Sequence, residues 1–167
     1  MKIQIRRMVK KDIPQAVEIE RICFSEPWTE ADYNETLLLP YAAYYVAEAV
    51  PYTQAAGEQQ DGGTEILGIC GIRKVAGEGQ ISNVAVRPCC RGQHIARRLL
   101  LTMIEESREE GIEEFTLEVR AGNEPAKTLY AGLGFVTEGV RPNFYAKPTE
   151  DALIQWLRFD DKENSHA

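Results

Sequence analysis

The spacing of hydrophobic residues along the chain predicts an alternation of helices and strands. In four segments the apolar residues recur every three or four positions, which is typical of helices packed against a core. Candidate caps stand at their ends: Asp12, Thr29 and Asn123 precede three of the segments, and Gly111 follows the longest. The predicted helices cover residues 13–23, 30–38, 92–111 and 124–132.

Other runs alternate in polarity or are rich in β-branched and aromatic residues, and these runs predict strands. Residues 52–64 contain several glycines and predict a flexible hairpin connection. The order β-α-α-β-β-β-α-β-α-β-β predicts a mixed α/β fold with one central sheet, in a single domain over 1–160 followed by a polar tail over 161–167. The predicted strands cover 3–6, 41–50, 66–75, 80–87, 115–120, 135–140 and 152–159.

Composition narrows the classes of protein that fit. With 167 residues, 44% of them hydrophobic, the chain can bury the core of one domain. Its net charge of −7 disfavours nucleic acid as a partner. No apolar run approaches the roughly eighteen residues that span a bilayer, and the basic start lacks the apolar segment of a secretory signal. We therefore expect a cytoplasmic protein that binds no membrane.

The four cysteines lack the spacing of zinc ligands, so we expect free thiols and no bound metal. They are Cys23, Cys70, Cys89 and Cys90.

The segment Arg91–Ala96 has the character of an anion site, since it lies between a predicted strand and the longest predicted helix. Backbone N–H groups converge where a helix begins, and the helix dipole adds partial positive charge there. Gly92 and Ala96 are small enough for a phosphate to approach the backbone, and Arg91, Arg97 and Arg98 add positive charge. The sequence therefore predicts a phosphate-bearing ligand.

Three blocks of sequence resemble the GNAT superfamily of acyl-CoA-dependent N-acetyltransferases, and the resemblance covers nearly the whole chain. Residues 83–88 with 91–96 are similar to the superfamily's acetyl-CoA loop, Arg/Gln-x-x-Gly-x-Gly/Ala. Leu-Glu-Val-Arg-x-x-Asn at 117–123 and Leu-Tyr-x-x-Leu-Gly-Phe at 129–135 look like its RimI group, as do segments 24–28 and 141–145. The resemblance implies a twisted central sheet of about six or seven strands flanked by about four helices.

The resemblance also implies how acetyl-CoA would be bound. The backbone of Val84, Ala85 and Val86 would pair with the pantetheine arm like an added strand, and its N–H groups would polarise the thioester carbonyl. Asn123 would contact CoA in addition to capping its helix. The pyrophosphate would be bound by Arg91, Gly92, Gln93, His94, Ile95, Ala96 and Arg97.

One position departs from the family pattern, because His94 stands where the loop usually has Gly. Its side chain could crowd the phosphate, strain the backbone if φ is positive, or donate a hydrogen bond to the ligand. We expect acetyl-CoA to bind in spite of it, since the donors are main-chain atoms.

Two side chains are implied as catalytic groups. Glu118 faces away from the apolar side of its strand, and a carboxylate there can accept the proton lost by an attacking amine. Tyr130 carries a phenol, a group whose unperturbed pKa is near 10, and would contact the cofactor and protonate the leaving thiolate of CoA. No Cys–His pair is evident, so we expect direct transfer without a covalent enzyme intermediate.

The acceptor implied by the RimI group is the N-terminal alanine of a small-subunit ribosomal protein, held by a monomer or weak dimer. An α-amine suits a mild base, because deprotonating it at pH 7 costs about 1 kcal/mol against about 4.6 kcal/mol for lysine. Two alternatives stay open: a small amine as acceptor, or a non-catalytic acyl-CoA-binding module. The candidate walls of the acceptor groove are Phe24, Trp28, Arg141, Phe144 and Tyr145.

Overall fold

The computed structural model describes residues 2–51 and 63–159. Within these ranges the order of helices and strands is the predicted one, which confirms the mixed α/β fold. The 52–64 connection lies mostly outside the described residues, and the tail over 161–167 lies wholly outside them. The helices are α1 (Ile13–Cys23), α2 (Glu30–Leu37), α3 (Ile95–Glu109) and α4 (Glu124–Gly132). The strands are β1 (Lys2–Arg7), β2 (Ala42–Val50), β3 (Glu65–Val75), β4 (Glu78–Val86), β5 (Glu114–Arg120), β6 (Val136–Tyr145) and β7 (Glu150–Arg158).

The seven strands form one mixed sheet in the order β1-β2-β3-β4-β5-β7-β6. The last strand in sequence lies between β5 and β6 and is antiparallel to both, which leaves β6 at the edge. Strands β4 and β5 are parallel, and their register joins Glu78–Gln80 to Glu114–Thr116. Beyond that register β4 continues to Val86, the backbone implied in pantetheine binding.

By backbone contacts the chain divides into two compact units. The first combines Met1–Ile72 with Asn83–Ile104, and the second combines Arg73–Ser82 with Glu105–Ala167. In the first unit, α1 and α2 pack against the sheet around the buried rings of Tyr33 and Tyr44.

The second unit takes its core from one face of β5. Phe115, Leu117 and Val119 are buried there, while Glu118 between them is exposed, as the period of two predicts. Tyr130 and Phe135 add a buried aromatic pair with ring centroids 5.8 Å apart.

Two of the predicted caps are confirmed by hydrogen bonds. The Thr29 hydroxyl accepts the backbone N–H of Asp32 at 3.3 Å, and the Asp32 carboxylate accepts that of Thr29 at 2.8 Å, forming a capping box on α2. Asn123 Oδ1 accepts the backbone N–H of Ala126 at 3.2 Å and caps α4. Gly111 follows α3 with a φ of +96°.

The prediction that the Asp12 side chain caps α1 is wrong. Asp12 stands at the N-terminal boundary of α1, but its side chain caps no N–H of that helix. It accepts instead from the backbone N–H of Val9 at 2.8 Å and from Arg6 at 2.7 and 2.9 Å. An oppositely charged partner competes successfully with the helix end for the carboxylate oxygens.

Two boundaries differ from the prediction by more than two residues. Helix α3 begins at Ile95 rather than at 92, because Gly92 and His94 have positive φ values of 81° and 59° and cannot continue a helix. Strand β6 extends five residues past the predicted end at 140, to Tyr145. Pro142 and Asn143 favour a turn in the sequence, but an edge strand accommodates both.

Candidate active site

The end of β4 is held firmly in the first unit. The backbone N–H of Arg87 donates to the Leu67 carbonyl at 2.8 Å, and its guanidinium Nε donates to the Ile66 carbonyl at 2.7 Å. Arg87 also forms a 3.2 Å ion pair with Glu18 on α1. These bonds fix the chain where it leaves the sheet, directly before the predicted anion site.

Between β4 and α3 the chain turns over the segment Arg91–His94, whose four residues are all exposed. A side chain added at Gly92 would meet nothing within 4 Å, so this turn presents its backbone to open space. The His94 carbonyl accepts the backbone N–H of Arg98 at 3.0 Å, which makes His94 the residue that opens α3. An exposed turn of this kind at the start of a 15-residue helix suits a pyrophosphate.

Two of the three arginines predicted to add positive charge to the anion site form hydrogen bonds with other parts of the first unit. Arg91 turns back toward β4, donating from Nε to the Val86 carbonyl at 3.3 Å and from Nη2 to Cys23 Sγ at 3.7 Å. Arg98 donates from Nη2 to the Ile3 carbonyl of β1 at 2.9 Å. Arg97 is exposed on the first turn of α3.

A charged and aromatic cluster in the second unit gathers four of the predicted site residues. Glu118 on β5 lies 3.8 Å from Arg141 on β6, measured from Oε1 to Nε. Phe144 packs edge-on against Tyr145 with ring centroids 5.0 Å apart, and the Arg141 guanidinium lies 5.8 Å from the Phe144 ring. Burial, together with the negative charge of Glu118, raises the pKa of Tyr145.

Arg120, two residues after Glu118, holds the loop between β6 and β7. Its guanidinium donates to the Ala146 and Pro148 carbonyls at 3.2 and 3.0 Å and lies 4.4 Å from the centre of the Tyr145 ring. It also pairs with Glu150 at 3.3 Å, and the other Glu150 carboxylate oxygen accepts the backbone N–H of Gly122 at 2.7 Å. The strand that carries Glu118 therefore also fixes the loop beside it.

Tyr130, the predicted acid, lies on α4 and is 7% exposed. The cap at the start of α4 uses only Oδ1 of Asn123. Its side-chain amide nitrogen is not used by the cap. Capping and a further contact are therefore compatible roles for Asn123.

The predicted groove residues belong to both units. Phe24 and Trp28 lie in the first, where they are half-buried against its core. The Trp28 ring packs against Tyr33 and Tyr44 with centroid separations of 5.2 and 5.8 Å. The second unit carries Arg141, Phe144 and Tyr145.

The sequence prediction missed Glu20, a carboxylate buried in the first unit and bonded to Asn83, Tyr33 and Trp28. One signal could have found it. The buried face of α1 contains Ile13, Ala16, Val17 and Glu20. A glutamate on an otherwise apolar helix face requires hydrogen-bond partners.

The described residues contain no cluster of three or more His, Cys, Asp or Glu side chains arranged to hold a metal ion. Cys70 is a buried thiol whose pKa is raised by that burial. No helix in the described ranges is both long enough and apolar enough to cross a bilayer.

Comparison with known proteins defines the class. The sequence model of the Acetyltransferase (GNAT) family matches residues 13–135, and the chain belongs to that family. It is an acetyl-CoA-dependent N-acetyltransferase, and the exposed turn before α3 fits the binding of its cosubstrate.

Individual relatives indicate which members of the GNAT family the chain is similar to. The chain is 37% identical to a putative ribosomal protein bS18-alanine N-acetyltransferase of Bacillus subtilis, over 96% of this chain and 98% of that one. It is 31% identical to the ribosomal protein bS18-alanine N-acetyltransferase of Escherichia coli K12, over 87% and 90% of the two chains. The crystal structure of the Escherichia coli ribosomal-protein-S18-alanine N-acetyltransferase superposes with a TM-score of 0.78 at 28% identity, covering 94% of each chain.

Proposed function

We propose that this enzyme acetylates the α-amine of a protein N-terminus, and that its acceptor is the N-terminal alanine of ribosomal protein bS18. The observation that carries the proposal is the similarity to the Escherichia coli bS18-alanine N-acetyltransferase and to the Bacillus subtilis protein named as a putative one, which extends over most of each chain. The cluster of Glu118, Arg141, Phe144 and Tyr145 supports it, because a carboxylate beside half-exposed aromatic rings suits an amine on a peptide.

In this proposal the cosubstrate is held by main-chain donors of the first unit. The turn Arg91–His94 and the first turn of α3 bind the pyrophosphate, and the exposed Arg97 adds positive charge. The backbone of Val84–Val86 receives the pantetheine arm and directs N–H groups at the thioester carbonyl. Acetyl-CoA supplies an acetyl group activated as a thioester.

Glu118 is the general base in the proposed reaction. Its carboxylate is 37% exposed, so it is accessible to an incoming ammonium group or to a bridging water. It takes the proton that the amine must lose, and the free amine nitrogen attacks the thioester carbonyl carbon. The backbone N–H groups of β4 stabilise the negative charge that develops on the carbonyl oxygen.

Tyr130 is the general acid. As the tetrahedral intermediate collapses, the C–S bond breaks and the new amide bond remains. The leaving thiolate takes the phenolic proton of Tyr130, so that CoA departs as a thiol. The attacking nitrogen loses a second proton as the amide forms, and that proton returns through solvent to the Tyr130 phenolate. The proton held by Glu118 passes to solvent as the one proton that the overall reaction releases, so both side chains return to their starting states.

The acceptor assignment is tested with a panel of amines and mass-spectrometric location of the acetyl group. The panel contains peptides with the bS18 N-terminal sequence, variants of that peptide beginning with Ser, Met or Lys, and spermidine. We expect acetylation of the α-amine, fastest for the peptide that begins with alanine.

A matched control uses the same peptide with its α-amine already acetylated, and we expect no further acetylation of it. Transfer to spermidine with none to any peptide would overturn the proposal in favour of a small-amine acceptor. Binding of acetyl-CoA without transfer to any member of the panel would also contradict it.

A further inference from the structure

Glu20 on α1 is a buried carboxylate outside the set of residues that the proposed reaction uses. Glu20 is only 1% exposed, and its two carboxylate oxygens accept three hydrogen bonds. Oε1 accepts the Tyr33 hydroxyl at 2.7 Å and Asn83 Nδ2 at 2.7 Å. Oε2 accepts the backbone N–H of Trp28 at 3.2 Å. Burying a carboxylate is costly unless its oxygens are hydrogen-bonded. The loss of any one of these three donors would therefore destabilise the whole network.

The Asn83 end of this network controls the backbone of β4. Asn83 has a φ of +54°, a left-handed conformation inside a strand, which changes the direction of the chain that follows. Its side chain is held at both ends, because Nδ2 donates to Glu20 and Oδ1 accepts the Tyr44 hydroxyl at 3.2 Å. A sparsely populated backbone conformation persists where its surroundings fix it in this way. The residues that follow are Val84–Val86, whose N–H groups the proposed reaction uses.

The Trp28 end of the network controls a candidate wall of the acceptor groove. Trp28 follows the end of α1 and precedes the capping box of α2, so its position depends on local contacts. Glu20 fixes its backbone N–H, while Tyr33, itself bonded to Glu20, packs against its ring. One carboxylate therefore joins the β4 backbone to the segment that carries the groove residues of this unit.

We propose that Glu20 is a positioning residue for acetyl transfer, which sets the β4 backbone at Val84–Val86 through Asn83 and the groove segment through Trp28. It touches neither the acetyl group nor the amine, and it acts through the geometry of the groups that do. The inference rests on the proposed use of the β4 backbone and is independent of which amine is the acceptor.

The direct test is Glu20→Gln, which keeps the shape of the side chain but replaces one acceptor oxygen with a donor group. At least one of the three bonds is then lost. We expect kcat to fall about 10- to 100-fold, since small displacements of reacting groups have effects of this size. The KM for acetyl-CoA should rise by a smaller factor than kcat falls, because the pyrophosphate turn is untouched and only the β4 contacts with the pantetheine arm are displaced. An unchanged kcat per folded molecule would overturn the proposal.

A second variant, Asn83→Gly, keeps the positive φ accessible and leaves Glu20 with two partners, so it tests the same link if Glu20→Gln fails to fold. We expect a similar loss of kcat from Asn83→Gly. Glu20→Gln and Asn83→Gly each remove part of one hydrogen-bond network, so the double variant should lose less activity than the product of the two single losses predicts. Additive losses in the double variant would show that the two residues act separately and would contradict the proposal.

Glu48→Gln is the matched control, since Glu48 is another buried carboxylate of the same unit, bound to Arg6 and remote in sequence from both ends of the network. We expect this variant to unfold more readily while kcat per folded molecule stays within about twofold of wild type. If Glu48→Gln lowers kcat as much as Glu20→Gln, general loosening of the core explains both, and the positioning role is wrong.

Amide hydrogen exchange separates this inference from the choice of acceptor. In Glu20→Gln we expect the amides of Val84–Val86 to exchange at least about tenfold faster than in wild type and in Glu48→Gln. This measurement uses no acceptor, so failure of the bS18 assignment leaves it intact. Unchanged exchange at these amides would overturn the positioning role even if bS18 is acetylated.

Discussion

The guanidinium of Arg141 lies 3.8 Å from the carboxylate of Glu118, although β7 separates the strands that carry them. Glu118 pairs with Ile154 of β7 on one side, and Arg141 pairs with Ala152 on the other. The two side chains therefore meet across the face of the middle strand. The proposed base has a cation beside it that the sequence, with 22 residues between the two positions, could not reveal.

The first prediction concerns Arg141→Gln. Arg141 is 56% exposed, and an ion pair so accessible to water contributes little to stability, so unfolding should change by less than about 1 kcal/mol. Loss of the guanidinium leaves Glu118 less well oriented, and we expect kcat/KM for the peptide to fall about three- to tenfold. Steady-state kinetics and urea unfolding measure the two effects. A destabilisation above about 2 kcal/mol with unchanged kinetics would show that the pair is structural.

A second prediction concerns the base itself. Glu118→Gln removes the proton acceptor while keeping the shape of an exposed side chain, so kcat should fall about 10²- to 10⁴-fold. Acetyl-CoA affinity, measured by calorimetry, should be unchanged, because the implied cosubstrate contacts lie elsewhere. Glu114→Gln, on the same strand and also exposed, is the control and should keep near-normal activity. Equal activity of both variants would remove Glu118 from the reaction.

A third prediction separates the acid from its packing role. Tyr130→Phe keeps the ring that packs against Phe135, and we expect a loss of stability of no more than about 1.5 kcal/mol for the missing hydroxyl. Without the phenolic proton, kcat should fall at least about tenfold. Transfer from a thioester whose thiol has a lower pKa should be less affected, since that leaving group needs less protonation. Equal losses with both thioesters would contradict the role of acid.

The sequence predicted the order of the elements well because each helix and strand has its own hydrophobic period. It also predicted the exposed face of Glu118 and the caps at Thr29 and Asn123, since these depend on neighbours within four residues. It failed where a partner on another helix or strand decides the outcome. Asp12 is bound by Arg6 of β1 rather than by the helix it precedes.

The same limit explains the parts of the site that the sequence did not reveal. The Arg141–Glu118 pair depends on β7 inserting between β5 and β6, an order that chain sequence alone does not dictate. The bond from Glu20 to Asn83 joins residues 63 positions apart. Long-range contacts of this kind leave only an indirect trace, such as a charged residue on an apolar stripe.

A fourth prediction addresses His94, where the positive φ of 59° shows that the expected backbone strain is present. His94→Gly should relieve about 1–2 kcal/mol of strain, and the greater freedom of glycine in the unfolded chain should offset about half of that gain. Because the ligand donors are main-chain groups, the Kd for acetyl-CoA should change less than about threefold. A gain in affinity above about tenfold in the calorimetric titration would show that the imidazole crowds the phosphate.

The fifth prediction follows from Arg6, which binds Asp12 and Glu48 together in the first unit. Burial acts to raise the pKa of Asp12, but hydrogen bonds from Arg6 and from the Val9 backbone outweigh it, so the pKa lies below its usual value. The hydrogen bond from Arg6 also lowers the pKa of Glu48. Folded pKa values below the unfolded ones mean that this stabilisation is fully present above about pH 4 and is lost as pH falls through the folded values.

Arg6→Met tests that dependence by leaving two largely buried carboxylates without their cation. We expect wild type to be more stable by several kcal/mol at pH 7, because an uncompensated buried charge is costly. The difference should shrink as pH falls from 7 towards 3, since protonation of the carboxyl groups, which burial favours once Arg6 is absent, removes the charge that Arg6 neutralises. Urea unfolding of both proteins between pH 3 and pH 7 measures this difference in stability.

Lys74→Met breaks the pair between Lys74 and the exposed Glu110 and serves as the control, for which we expect little difference from wild type at any pH. A gap between wild type and Arg6→Met that stays constant across the range would show that the arginine stabilises the fold through packing of its aliphatic stem rather than through charge.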